Sequence, residues 1–142
     1  MTDRHYGVHG EFRDLLCSNG IKPSYQRLLI LEYIMKNKNH PSAETIFKNI
    51  SRSVPTLSRT TVYNNLNIFV RKGILSSIKT NKSETRYDII EIPHAHFYCL
   101  QCKRIIDVDL KIPLYRKNSI QGHKIGEVQV QFRGTCRNCL KK

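Results

Sequence analysis

Four of the five cysteines fall in a pattern that few folds accommodate: Cys99-x2-Cys102, then 33 intervening residues, then Cys136-x2-Cys139. Each pair presents two sulfurs to one point, and two such knuckles supply the four thiolates of a closed, tetrahedral Zn²⁺ shell, as expected of a structural site. A chain stapled in this way ties its end to its middle, which offsets the thin core of a small domain. Two other readings of the same residues stand beside zinc. One is a thioredoxin-like redox pair, which normally uses a single such motif at a helix start; the other is four buried, unligated thiols. Cys17 lies outside the pattern and is expected to be a core side chain of the first helix.

The length, 142 residues, leaves room for one ordinary domain or two small ones. With 39% apolar and 25% charged residues the composition is that of a soluble globular chain. No apolar run approaches the roughly 20 residues of a membrane span, and the opening MTDRHYGVHGEF lacks the apolar stretch of a signal peptide, so a cytoplasmic location without membrane attachment is expected. A formal net charge of +13 points to a polyanionic partner, because phosphate neutralisation with counterion release dominates nucleic-acid affinity. The excess is spread evenly, with 14 Lys+Arg against 8 Asp+Glu up to Ile92 and 10 against 3 beyond it. Charge therefore does not by itself locate a binding face.

Hydrophobic spacing does more. Residues 24–37 carry Leu28, Leu31 and Met35 at helical intervals behind a capping Ser24, and a weaker helix is expected over residues 11–19. Ser42 can cap a short helix with Ala43, Ile46, Phe47 and Ile50 on one face and Glu44 in its first turn. A further helix begins at Ser58, buries Val62, Leu66, Phe69 and Val70, and ends at Gly73. Its other face is Arg59, Thr60, Tyr63, Asn64, Asn67 and Arg71, a hydrogen-bonding set suited to base edges and phosphates. ILSSIKT and ETRYDIIEI then read as a hairpin around Asn81-Lys82-Ser83, a wing carrying Lys79, Lys82 and Arg86. The competing reading of the helix is a solvated polar face on an ordinary helical bundle. Ile92-Pro93 reads as a hinge. Beyond it HAHFYCL, RIIDVDL and KIGEVQVQFR have strand character, and Pro113 argues against a helix in the stretch between the last two. The expected class is α+β, with a winged helix-turn-helix domain at 1–92 and a small second domain with a zinc-stapled sheet at 93–142.

A second set of candidate ligands is His94-x-His96 with Asp88 and Asp107 nearby in sequence. On a strand, residues i and i+2 face the same way, so both imidazoles can converge on one ion, and mixed imidazole and carboxylate donors suit Fe²⁺, Mn²⁺ or Zn²⁺. The alternative is two surface histidines.

NHPSAETIF, LSRTTVYNNL, TRYDIIEIPHAHFYC, CKRIIDVD and GTCRNC, in this order over roughly residues 10–140, resemble the ferric uptake regulator family. The resemblance implies that 93–142 is an α/β dimerisation domain and that the chain is a homodimer that binds AT-rich inverted repeats in double-stranded DNA. It also implies a regulatory Fe²⁺ or Mn²⁺ site formed by His40, Asp88, His94, His96 and Asp107, distinct from the structural Zn²⁺. Asp107 in place of the glutamate common in iron-uptake members, together with TVYNNL, makes the chain look more like the peroxide-responsive branch. In that branch the residues oxidised by peroxide are histidines, matching His40 and His94 here. Ala95 and Val128 stand where the iron-uptake branch commonly offers histidines, so a further metal site of that type is not expected.

The leading expectation is thus a metal-dependent repressor that senses peroxide, and the alternative is a regulator of the same kind that senses iron, manganese or zinc level alone. A non-heme iron enzyme shares the His/carboxylate donors, but no cosubstrate motif, nucleophile with a partner base, or small-molecule substrate site is legible. A zinc-ribbon interaction module without sequence-specific DNA recognition is the remaining class.

Overall fold

The computed structural model describes residues 3–80, 84–90, 94–111, 113 and 117–142. The chain divides into two compact units, Met1–Ile90 and Glu91–Lys142. Among the described residues no helix is long and apolar enough to cross a membrane.

The first unit runs α1 (Asp3–Ser18), α2 (Tyr25–Asn37), α3 (Ala43–Ile50), α4 (Arg59–Arg71), β1 (Leu75–Lys79) and β2 (Thr85–Ile89). Three serines start three of its helices. The Ser24, Ser42 and Ser58 hydroxyls accept from the backbone N–H of Arg27, Thr45 and Thr61 at 3.2, 3.2 and 3.1 Å, each occupying a donor the first helical turn leaves open. Two glycines stop helices. Gly73, at φ +75°, donates to Val70 O while Ile74 donates to Phe69 O, and Gly20, at φ +71°, closes α1 in the same way through Cys17 O and Leu16 O. A side chain is strained in that left-handed conformation, which is why glycine ends both helices. The core is continuous: Leu16 of α1, Ile30 and Leu31 of α2, Ile46 of α3, and Val62, Leu66 and Phe69 of α4 are all fully buried, with Leu75 of β1 beneath them. β1 and β2 pair antiparallel with Leu75 opposite Ile89 and Lys79 opposite Thr85, forming the expected wing. Lys82, at the expected tip, and the Ile92-Pro93 hinge lie outside the described residues.

Cys17 corrects one expectation, because it is exposed rather than part of the core. The buried positions of α1 include Phe12 and Leu16, and Cys17 stands one residue beyond, about 100° around the helix.

The second unit is built on a three-stranded sheet in the order β4-β3-β7, with β3 (Ala95–Cys99) antiparallel to β4 (Ile105–Val108) and parallel to β7 (Gln131–Gly134). A two-residue hairpin, β5 (Ser119–Ile120) and β6 (His123–Lys124), and one helical turn, α5 (Arg137–Leu140), complete it. KIGEVQVQFR is therefore a continuous strand only at its end. The parallel register sets Gln131 opposite His96, near the start of β3, so residues before Gln131 run past that strand's beginning.

Candidate metal centres and nucleic-acid interface

The sheet delivers the four cysteines to one place. Cys99 is the last residue of β3, Cys102 sits in the turn to β4, Cys136 follows β7 as the N-cap of α5, and Cys139 lies within α5. All four sulfurs lie within 4.8 Å of one another, with Cys99–Cys139 at 3.9 Å and Cys102–Cys136 at 3.8 Å. A tetrahedron with Zn–S bonds near 2.3 Å has edges of about 3.8 Å, whereas a disulfide requires about 2.05 Å. The spacing fits a metal and excludes a cystine. Electrostatics agree. The Cys99 Sγ accepts the backbone N–H groups of Cys102 at 3.5 Å and Cys136 at 3.4 Å, which brings its thiol pKa down to about 6. Cys139 is pushed up to about 12, first by its bonding with the Cys136 sulfur and then by burial. Four sulfurs this close cannot all ionise on their own, and a divalent cation among them removes that conflict.

The histidines and aspartates form two groups, one in each unit. In the first, His40 Nε2 lies 3.6 Å from Asp88 Oδ2, with the His40 side chain 5% exposed. Asp88 Oδ1 accepts the Ile89 N–H at 2.9 Å, which fixes the carboxylate in place. In the second, His94 Nε2 and His96 Nε2 approach the same oxygen, Asp107 Oδ1, at 3.3 and 3.5 Å. Asp107 stands directly opposite His96 in the β3–β4 register, and the two imidazoles meet edge to face with centroids 4.5 Å apart. Histidines at i and i+2 of an extended segment thus converge on one carboxylate, as strand periodicity requires. Three donors with this chemistry fit a first-row divalent ion.

Helix α4 buries Val62, Asn65, Leu66 and Phe69 and exposes Arg59, Thr60, Tyr63, Asn64, Asn67 and Arg71. Tyr63 and Asn67 border an open cleft of about 560 Å³ whose other side includes Thr85 and Tyr87 of β2, so helix and hairpin share one concave surface. Lys79 is exposed at the end of β1. Arg59 and Arg86 are engaged within the unit. The Arg59 guanidinium donates to both Glu44 oxygens and lies 4.4 Å over the Phe47 ring, and that bonding holds the Glu44 carboxyl below its ordinary pKa. Arg86 pairs with Glu84 and donates from Nη1 to the carbonyl of His40 at 3.0 Å. Sequence reasoning missed Asn65, a 7% exposed polar residue on the inner face of α4. Its only signal in the sequence is that it falls in step with Val62, Leu66 and Phe69.

A winged helix-turn-helix unit, joined in one chain to a cysteine-clamped sheet and carrying imidazole–carboxylate groups, defines a metal-binding regulator of the winged-helix class. The chain belongs to the ferric uptake regulator family, whose model matches residues 18–133. It is 30% identical over 135 residues to the peroxide operon regulator of Bacillus subtilis, covering 93% of each chain. The peroxide stress regulator of Campylobacter jejuni superposes with a TM-score of 0.66 at 25% identity, over 92% of this chain and 97% of that one. The ferric uptake regulator of Helicobacter pylori shares the fold with a TM-score of 0.71 at 24% identity, over 96% and 93% of the two chains.

Proposed function

We propose that this chain is a homodimeric, metal-dependent transcriptional repressor that senses peroxide at an Fe²⁺ or Mn²⁺ site and carries Zn²⁺ as a structural ion. The observation that carries the reading is the convergence of His94 and His96 on Asp107, the aspartate on which the resemblance to the peroxide-responsive branch rests. Similarity to the Bacillus peroxide operon regulator along nearly the whole chain supports the same branch.

Cys99, Cys102, Cys136 and Cys139 hold the structural ion. His40, Asp88, His94, His96 and Asp107 would hold the regulatory one. These imidazole and carboxylate donors suit Fe²⁺ or Mn²⁺, and Fe²⁺ held there would supply redox chemistry with peroxide that Mn²⁺ would not.

Tyr63, Asn64 and Asn67, with Thr60, would read base edges in an AT-rich inverted repeat, and Arg59, Arg71, Lys79 and Lys82 would meet phosphates. Self-association is supported by one face of the sheet, where Ile106, Phe97 and Phe132 form a cross-strand apolar row with Ile106 and Phe132 40% and 43% exposed. A symmetric pair of subunits matches an inverted repeat. Loading the protein with Fe²⁺ or Mn²⁺ and measuring operator binding after mild peroxide tests the function. The Fe²⁺ form should lose binding and the Mn²⁺ form keep it. Equal retention by both would leave a sensor of metal level alone.

A further inference from the structure

His40 has a backbone that its side chain does not explain. Its φ is +51°, a left-handed conformation costly for a residue with a Cβ, and it directly precedes Pro41, whose ring narrows its options further. Such a conformation persists only where neighbouring groups hold it. Here the neighbour is β2. The Arg86 Nη1 donates to the His40 carbonyl at 3.0 Å, the Tyr87 N–H donates to the Pro41 carbonyl at 3.0 Å, and Ser42 forms a backbone bridge with Arg86.

Residues 84, 86 and 88 alternate onto one face of the hairpin. Glu84 pairs with Arg86, Arg86 grips the His40 backbone, and Asp88 presents its carboxylate to the His40 ring at 3.6 Å. One strand therefore supplies a donor and, two residues earlier, the clamp that aims the donor's partner. We infer that Arg86 is a positioning residue for the His40–Asp88 pair, fixing the backbone strain that points the His40 imidazole at Asp88, and that it couples this pair mechanically to the wing. The inference rests on the reading of His40 and Asp88 as regulatory ligands. A cation that the sequence places on the wing thus works inward.

The test uses the full chain with its zinc in place and follows Mn²⁺ binding by electron paramagnetic resonance, together with the melting temperature before Mn²⁺ is added. Arg86→Met keeps the apolar stem and removes every donor. It should weaken Mn²⁺ binding by about tenfold or more, the usual effect of losing a group that orients a metal ligand. Arg86→Lys, which retains a cationic donor, should recover most of that loss. Amide exchange at Tyr87 should slow on Mn²⁺ addition in the wild type and not in Arg86→Met. His40→Ala is the control for the ligand reading and should abolish this Mn²⁺ site. If His40→Ala does so while Arg86→Met binds Mn²⁺ within twofold of wild type, Arg86 has no positioning role. If Arg86→Met is weak and Arg86→Lys equally weak, with both melting early, Arg86 is structural only and the inference fails. Unchanged Mn²⁺ binding in His40→Ala overturns the ligand reading and the inference together.

Discussion

Arg27 Nε donates to Asn65 Oδ1 at 2.8 Å, tying α2 to the inner face of α4. The same guanidinium donates to the Lys22 carbonyl at 2.6 Å, and the Asn65 amide donates to Thr61 O at 2.9 Å, so the polar atoms of a buried asparagine are matched on both sides. A buried amide of this kind stabilises little in net terms, but removing one partner leaves the other costly to bury. It also fixes the rotation of α4, and hence which side chains face outward.

Asn65→Ala is accordingly expected to destabilise the first unit by about 1–3 kcal/mol, a drop in melting temperature of several degrees. Operator affinity should fall more than affinity for random DNA, because a helix free to rotate presents its reading face imperfectly. Thermal melts and paired binding titrations check both. A variant as stable and as selective as wild type would remove the anchor.

Both Glu44 oxygens hold the Arg59 guanidinium, so on the proposed DNA contacts Glu44 would compete with phosphate for it. Glu44→Gln should raise DNA affinity at low salt and steepen the salt dependence by about one phosphate contact. Acid should mimic the variant. The Glu44 pKa is depressed by Arg59, so the pair is complete above the ordinary carboxylate range and is lost only as pH falls through the depressed value. Indistinguishable salt slopes for the two proteins would mean that Arg59 remains tied to Glu44 on DNA.

On the proposed DNA contacts, base reading and phosphate gripping should separate by residue. Asn64→Arg should change operator preference, whereas Lys79→Ala, like Lys82→Ala, should weaken all sequences alike and flatten the salt dependence. Competition with scrambled operators distinguishes them, and equal effects on specific and random DNA from all three changes would take Asn64 off the reading face.

The cysteine cluster gives a prediction that does not involve DNA. Cys102→Ser removes one corner of a closed thiolate set, so the protein should release its zinc readily and melt about 10 °C lower, since metal binding energy is folding energy here. Full zinc content and an unchanged melt would show that the four sulfurs do not form the staple.

Much of this was legible because short-range rules govern it. Ser24, Ser42 and Ser58 mark helix starts through their own hydroxyls, Gly73 marks a stop, and the cysteine spacing encodes one cluster. Strand periodicity likewise puts His94 and His96 on one side, with Asp107 opposite. What was not legible depends on distant partners. Nothing local distinguishes Arg59 from Arg71 as the one held by Glu44, or shows that Arg86 turns to a carbonyl 46 residues earlier. Cys17 was misplaced because an apolar residue beside a helix stripe differs from one within it by a single step in rotation. The strand expected over KIGEVQVQFR forms only towards its end, because alternation signals a half-buried ribbon without saying how far a partner strand reaches.

On the proposed function, peroxide acts at the imidazole–carboxylate donors rather than at sulfur. The most direct test is peptide mass spectrometry of the Fe²⁺- and Mn²⁺-loaded protein after mild peroxide, with operator binding followed on the same samples. A gain of one oxygen atom is expected on a peptide containing His40 or His94 in the Fe²⁺ form, rising in step with loss of binding, and no gain in the Mn²⁺ form. Thiolates committed to zinc should lag behind. Loss of binding that follows cysteine oxidation and zinc release, with both histidines unmodified, would contradict it.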